Sequence, residues 1–140
     1  MELRVARHTE RLSEVVEFYR DGIGLTEIGA FRGHDGYDGV FLAIPGSGAH
    51  LELTAGGKHR APAPHEESLL VLYLGDDEAV RAVAARLGID PIAPANPYWA
   101  EHGMTFLDPD GFRVVLVPEH WEASPGRSTW LRSRRRRSTT

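Results

Sequence analysis

The sequence predicts an α+β protein built from two tandem βαβββ modules, which form an open, incomplete eight-stranded barrel around a cleft. Three observations support this prediction. The order strand, helix, strand, strand, strand occurs twice along the chain, and an internal repeat is more diagnostic than any single motif. A connector rich in glycine and proline, Ala55–Glu67, separates the two halves. Near the end, two apolar runs flank the sequence Asp-Pro-Asp-Gly at 108–111, which is typical of a tight hairpin turn.

The first module is predicted to span about residues 3–54. Its helix is indicated by apolar residues at helical spacing, followed by glycines that end it. Its strands are indicated by short apolar runs between turn residues. The predicted elements are a strand at Leu3–Ala6, a helix at Arg11–Arg20, a strand at Leu25–Phe31, a loop at Arg32–Gly39, and strands at Val40–Ile44 and His50–Thr54.

The second module is predicted to span about residues 68–118. Its helix carries Val80, Val83, Ala84 and Leu87 on one face, and Gly88 follows at the position where a glycine commonly ends a helix. The predicted elements are a strand at Ser68–Leu74, a helix at Glu78–Leu87, a weakly patterned strand at Asp90–Ala93, a loop at Ala95–Glu101, and strands at Gly103–Leu107 and Phe112–Val117.

Length and composition predict a single domain, residues 3–118, in a cytoplasmic protein. A chain of 140 residues can bury one core. It contains no cysteine, which is consistent with a reducing compartment. The apolar runs are too short to cross a bilayer, and the first residues have no apolar segment of the kind found in secretory signals. We therefore expect no membrane partner.

The net charge of −4 conceals an uneven distribution. Six of the sixteen basic residues lie in Arg127–Thr140, which contains no acid, whereas residues 1–126 hold ten basic and twenty acidic residues, a net charge of −10. Such an acidic body argues against binding to a phosphate backbone. We expect residues 119–140 to be a basic extension with a disordered end, and nucleic acid to be excluded as a partner except for this short basic run.

One strand places polar residues on the cleft side of the first module. Alternate residues of a strand share a face, so His50, Glu52 and Thr54 lie on one side and Leu51 and Leu53 on the other. The leucines are predicted to pack on the helix. The polar residues are therefore predicted to face the cleft.

Three segments resemble the vicinal oxygen chelate superfamily, which includes glyoxalase I, bleomycin-resistance and fosfomycin-resistance proteins, and extradiol dioxygenases. They are the helix and glycine turn LSEVVEFYRDGIGL (12–25), the strand HLELT (50–54) and the hairpin FLDPDGFRVVLV (106–117). The resemblance covers almost the whole domain. It implies the paired modules, a ligand cleft, and a homodimer as the expected assembly.

The same resemblance places the family's four metal ligands on the first and last strands of each module. The corresponding residues here are Arg4, Glu52, Leu69 and Val115. Of these, only Glu52 is a plausible metal ligand, because leucine and valine carry no donor atom and arginine stays protonated. We therefore expect neither the family metal nor any other cofactor.

Arg4 has two compatible interpretations. Its guanidinium could occupy the place of the missing cation and simply neutralise Glu52. Alternatively, it could bind an anionic or carbonyl oxygen of a ligand, whose carboxylate would displace Glu52. A rebuilt metal site on His50 and Glu52, with His8 or His102 as a third ligand, is a further alternative.

The second module contributes further candidate ligand-binding residues. Tyr73 is predicted to line the cleft, and Val115 lies on the cleft side of the last strand. Trp99 follows Tyr98 in a loop, where a large aromatic side chain could close the pocket. It could equally fill the core or lie at a dimer interface.

The leading functional prediction is a protein that binds or sequesters a small organic molecule without the family metal. The predicted ligand-binding residues are Arg4, His50, Glu52, Tyr73, Trp99 and Val115. The alternative is a metal-dependent glyoxalase-like lyase or isomerase, or a dioxygenase, that uses His50 and Glu52. A third possibility is a protein whose cleft is filled by its own side chains and whose role is assembly. The sequence does not identify a catalytic residue.

Overall fold

The structure, a computed structural model, describes residues 1–123. The end of the predicted basic extension, residues 124–140, lies outside the described residues. The first module contains the strands β1 (Leu3–His8), β2 (Thr26–His34), β3 (Tyr37–Ala43) and β4 (Ala49–Gly56) and the helix α1 (Leu12–Glu17), which continues directly as a π-helical segment at Phe18–Ile23. The second contains β5 (Leu69–Tyr73), α2 (Asp77–Leu87), α3 (Tyr98–His102), β6 (Met104–Leu107) and β7 (Arg113–Val117).

Each module forms its own sheet, and the two sheets have the same topology. The first sheet has the order β1-β4-β3-β2, in which β1 and β4 are parallel. The second has the order β5-β7-β6, in which β5 and β7 are parallel. An isolated bridge between Ile92 and Thr105 stands where a fourth strand would pair with β6. The α+β class, the two modules and the open architecture predicted from the sequence are confirmed.

The helix-covered sides of the two sheets share one hydrophobic core. In the first module, Leu51 and Leu53 of β4 are buried, together with Val15 and Tyr19 of the helical region. In the second module, the same cluster includes side chains from α2, β5, β6 and β7: Val80, Val83, Leu72, Phe106, Val114 and Leu116. The strand alternation therefore works as predicted, and the other face of the first sheet is left open.

Three of the predicted loops and strands differ in kind from the structure. Most of the predicted loop Arg32–Gly39 belongs to a hairpin, whose tip contains the positive-φ residues Gly33, Asp35 and Gly36. The predicted strand Asp90–Ala93 is reduced to the bridge at Ile92, because Pro91 and Pro94 flank it and proline cannot donate to a ladder.

The third difference is a short helix, α3, within and just beyond the predicted loop Ala95–Glu101. Its start is supported by the Asn96 side chain, which accepts a hydrogen bond from the backbone N–H of Tyr98. The helix contacts β6, whose first residue follows Gly103.

No helix among residues 1–123 is long and apolar enough to cross a membrane.

Candidate functional site

Three of the predicted site residues meet on the open face of the first sheet. Arg4 of β1 lies directly opposite His50 of the parallel strand β4, and Glu52 follows two positions along the same face. The Arg4 Nε donates a hydrogen bond of 2.9 Å to His50 Nε2, and Arg4 Nη1 lies 3.5 Å from Glu52 Oε2. Phe41 of β3 pairs with Glu52, and its ring centroid lies 4.8 Å from the Arg4 guanidinium carbon. We call these four residues the Arg4 cluster.

Aromatic rings extend the Arg4 cluster across the sheet. The rings of Phe41 and His50 are 6.3 Å apart in an edge-to-face arrangement, and Phe31 of β2 lies 5.8 Å from Phe41. Phe31 pairs with Gly39, and a Cβ at Gly39 would collide with the Phe31 ring. The glycine therefore lets this ring lie flat across β3. The open face combines one cation and one carboxylate with an aromatic surface.

The four residues that the resemblance aligns with the family's metal ligands include one side chain suited to a divalent cation, Glu52. The Arg4 guanidinium lies beside this carboxylate. Leu69 and Val115 have no atom that can coordinate a metal. His50, the neighbouring candidate ligand, accepts its hydrogen bond from Arg4 through Nε2. Among residues 1–123, no three or more histidine or acidic side chains form a group that could hold a metal ion.

The other predicted site residues lie on the second module. Tyr73 and Val115 are on the same face of the second sheet, since Val71 pairs with Val115 and Tyr73 is two residues further along β5. Tyr73 is exposed, whereas Val115 is fully buried and lies against Gly103. Trp99 of α3 is half-buried. In the described part of the chain, no hydrogen bond or ion pair joins Tyr73, Trp99 or Val115 to the Arg4 cluster.

A buried polar cluster that sequence reasoning missed joins the two modules. Asp108 Oδ2 accepts hydrogen bonds from Tyr19 Oη at 2.6 Å and from Arg7 Nη2 at 2.5 Å. The Arg7 guanidinium also lies 4.0 Å from the centroid of the Phe112 ring. We call Arg7, Tyr19 and Asp108 the inter-module cluster. It was missed because its members lie 101 and 89 positions apart in the sequence, so no local pattern connects them.

The inter-module cluster perturbs the protonation of its members. Burial raises the pKa of the Tyr19 phenol well above its ordinary value of 10.0, and the nearby charge of Asp108 raises it further, although Arg7 opposes the change. Burial alone would lower the pKa of Arg7, but Tyr19 and Asp108 outweigh this effect and raise it. Tyr19 therefore stays neutral and Arg7 stays charged over the physiological range.

A cavity of about 370 Å³ lies between the modules, next to this cluster. None of the six predicted ligand-binding residues lines it. Its walls are mainly apolar, with Arg7 and Arg113 as the charged residues; the apolar ones include Val5, Leu51, Leu53, Leu69, Leu70 and Phe112. The polar groups predicted to bind ligand and this partly open cavity are therefore separate features of the molecule.

Comparisons with known proteins agree with this architecture. The model of the YycE-like N-terminal domain matches residues 3–54, and that of the YycE-like C-terminal domain matches residues 67–118. Uncharacterized protein YycE of Bacillus subtilis (strain 168) is 41% identical over 120 residues, which cover 83% of this chain and 86% of YycE. The crystal structure of a YycE protein from Bacillus subtilis has a TM-score of 0.80 and 38% identity, and the match covers 90% of this chain and 93% of that one.

Two more distant structures share the fold. The trypanothione-dependent glyoxalase I of Leishmania major has a TM-score of 0.64 and 18% identity, and the match covers 96% of this chain and 92% of that one. TnmS3, an antibiotic-binding protein from Streptomyces sp. CB03234, has a TM-score of 0.61 and 22% identity, and the match covers 86% of this chain and 96% of that one.

Two tandem modules, each with its first and last strands paired in parallel, define a protein of the vicinal oxygen chelate superfamily, as the resemblance of the three segments predicted. Within that superfamily, the chain belongs to the YycE-like family.

Proposed function

We propose that this protein binds or sequesters a small organic molecule on the open face of the first sheet. The observation that carries the proposal is the Arg4 cluster, in which charged and polar groups from two strands converge on an aromatic surface. A few oriented polar groups on an otherwise apolar wall are typical of small-molecule sites. The fold of the antibiotic-binding protein TnmS3 supports a binding role. From the second module, the predicted ligand-binding residues are Tyr73, Trp99 and Val115.

The proposal includes three further features that the sequence predicted. The site works without the family metal, because it contains an arginine–carboxylate pair rather than a group of metal ligands. The protein is a homodimer, because the edge strands β1 and β5 expose the apolar residues Leu3, Val5 and Tyr73. It acts in the cytoplasm, in keeping with the absence of cysteine from the sequence.

Ligand screening by thermal shift tests the binding role. The panel contains cationic glycopeptides, aldehyde–thiol adducts and aromatic acids, and we expect members of one class to raise the Tm. A ligand present at ten times its Kd stabilises by roughly 1.4 kcal/mol, which raises the Tm of a domain of this size by about 5 °C. Arg4→Ala should abolish the shift, whereas Arg81→Ala, at an exposed position of α2, should preserve it.

The second candidate function is a metal-dependent glyoxalase-like lyase or isomerase, or a dioxygenase, with a site rebuilt on His50 and Glu52. These two side chains share the same strand face, and the fold of glyoxalase I supports the candidate. However, no group of three such ligands forms among residues 1–123. His8 lies 3.1 Å from the Thr54 hydroxyl, and the His102 ring stacks on Tyr98 at 4.2 Å.

Metal analysis of the purified protein separates the two functions. We expect no stoichiometric zinc, nickel or iron, either in the natural protein or in Glu52→Ala. A stoichiometric metal that is lost in Glu52→Ala would contradict the binding role and favour the metal-dependent enzyme. If every ligand class fails to shift the Tm and no metal is found, the assembly role becomes the better explanation.

A further inference from the structure

The contacts that hold the Arg4 guanidinium involve its Nε and its planar face, and they leave its terminal nitrogens without a hydrogen-bond acceptor among the described residues. Its Nε donates to a ring nitrogen of His50, and its planar group lies against the Phe41 ring. Both contacts restrain the side chain without adding a negative charge. Because β1 and β4 pair in register at Arg4 and His50, the backbone places these two side chains beside each other.

The terminal nitrogens of Arg4 make no hydrogen bond within residues 1–123. Nη1 lies 3.5 Å from Glu52 Oε2, a distance that gives an ion pair without a hydrogen bond. The Arg4 side chain is 53% exposed, whereas that of Glu52 is 19% exposed. The terminal N–H groups of Arg4 are therefore accessible to solvent. The Glu52 carboxylate is close enough to attract them but does not accept a hydrogen bond from them.

An external carboxylate fits these donors better than Glu52 does. The guanidinium fork can give two parallel hydrogen bonds to both oxygens of one carboxylate, an arrangement that requires coplanar groups. The adjacent rings of Phe41 and Phe31 offer a surface for a planar apolar body. We propose that the ligand of this site is a planar aromatic carboxylate, which binds Arg4 through both oxygens and displaces Glu52. This inference rests on the proposed binding function.

Three probes of similar shape and different charge test the inference by isothermal titration calorimetry on the full chain. They are 2-naphthoate, the neutral 2-naphthamide and the cationic 2-naphthylmethylammonium. We expect naphthoate to bind at least about tenfold more tightly than the amide, because only the anion gains charge-assisted hydrogen bonds. The ammonium probe should bind more weakly than either.

Two substitutions in the Arg4 cluster should act in opposite directions. Arg4→Gln should weaken naphthoate binding about tenfold or more and leave the amide nearly unchanged. Glu52→Gln should tighten naphthoate binding by a few-fold, because it removes the competing negative charge while keeping the side-chain size. Arg81→Gln is the matched control and should change neither value. Circular dichroism establishes that the variants are folded.

Several outcomes would overturn the inference. Weaker naphthoate binding in Glu52→Gln, unchanged naphthoate binding in Arg4→Gln, or a preference for the ammonium probe would each show that the ligand is not an anion held by Arg4. If the amide or the ammonium binds better and depends on the Arg4 cluster, the proposed function survives and the ligand class is wrong. If neither the three probes nor any compound of the wider ligand panel binds, both the ligand class and the binding function are wrong.

Discussion

Asp108 links the two modules through its carboxylate. One carboxylate oxygen accepts hydrogen bonds from the backbone N–H groups of Asp110 and Phe112, and the other accepts from Tyr19 and Arg7. The side chain is almost fully buried. A single carboxylate therefore shapes the turn between β6 and β7 and also neutralises the buried cation of the first module.

Tyr19 makes the stability of the protein sensitive to alkaline pH. Its pKa is raised in the folded state, mainly by burial, so the folded protein keeps the phenol proton that the unfolded chain releases near pH 10. The stabilising effect of this group is therefore fully present below pH 10 and falls above it, by about 1.4 kcal/mol per pH unit. Tyr19→Phe should remove this dependence while lowering stability at pH 7 by about 1 to 2 kcal/mol.

Urea unfolding of the natural protein and Tyr19→Phe at pH 9, 10 and 11 measures the effect. Tyr98→Phe is the matched control, because Tyr98 is exposed on α3 and its substitution should leave the alkaline slope in place. An equal slope in Tyr19→Phe and in the natural protein would contradict the assignment of the slope to Tyr19.

At the residue scale, strand periodicity predicted that His50 and Glu52 share one face, and the family resemblance placed Arg4 at the same site. The structure brings the three together because β1 and β4 pair in register at Arg4 and His50. Phe41 follows the same rule on β3, but it was overlooked because it carries no charge. The bonds from Arg7 and Tyr19 to Asp108 could not be predicted, because they join residues 101 and 89 positions apart through packing of the modules.

At the scale of elements, the first helix shows where local pattern stops being sufficient. The pattern predicts a helix over Arg11–Arg20, whereas the structure has α1 followed by π-helical turns up to Ile23. Two features of the second module support this extension. Gly22 leaves room for Leu87 of α2, and Arg86 donates to the carbonyl oxygens of Gly22 and Ile23. The extension thus depends on a tertiary contact, which helical spacing does not encode.

The start of α2 is set by a local interaction and gives a local prediction. The Asp76 side chain accepts a 2.8 Å hydrogen bond from the backbone N–H of Ala79, so Asp76 is the N-cap. Asp76→Ala should lower the free energy of unfolding by about 1 kcal/mol. Asp77→Ala should cost only a few tenths, because it removes a charge near the helix dipole but no capping bond. Urea unfolding compares them, and equal losses would contradict the capping role.

At the scale of the whole molecule, the internal repeat predicted the topology but not the difference between its halves. Both sheets place the last strand of a module beside the first, yet the second sheet has three strands and a single bridge where the first has four strands. Sequence reasoning predicted a weakly patterned strand at Asp90–Ala93. The prolines beside Ile92 were the available signal against it.

The proposed homodimer gives a prediction at this scale. Leu3 is 58% exposed on β1, an edge strand with no hydrogen-bonded partner strand on its outer side among the described residues. Exposed apolar edges are normally covered by another chain or blocked by charge. Light scattering should therefore find a dimer, and Leu3→Lys should give a monomer. Ile28→Lys, on the opposite edge strand β2, is the control and should stay dimeric. A monomeric natural protein would contradict the proposal.

The bond between Arg7 and Asp108 also has a consequence for the order of events during synthesis. Arg7 leaves the ribosome early, whereas its counter-ion follows 101 residues later. Until then, the Arg7 side chain has no counter-ion from the second module. The bond that joins the two modules can therefore form only after the final hairpin has been synthesised.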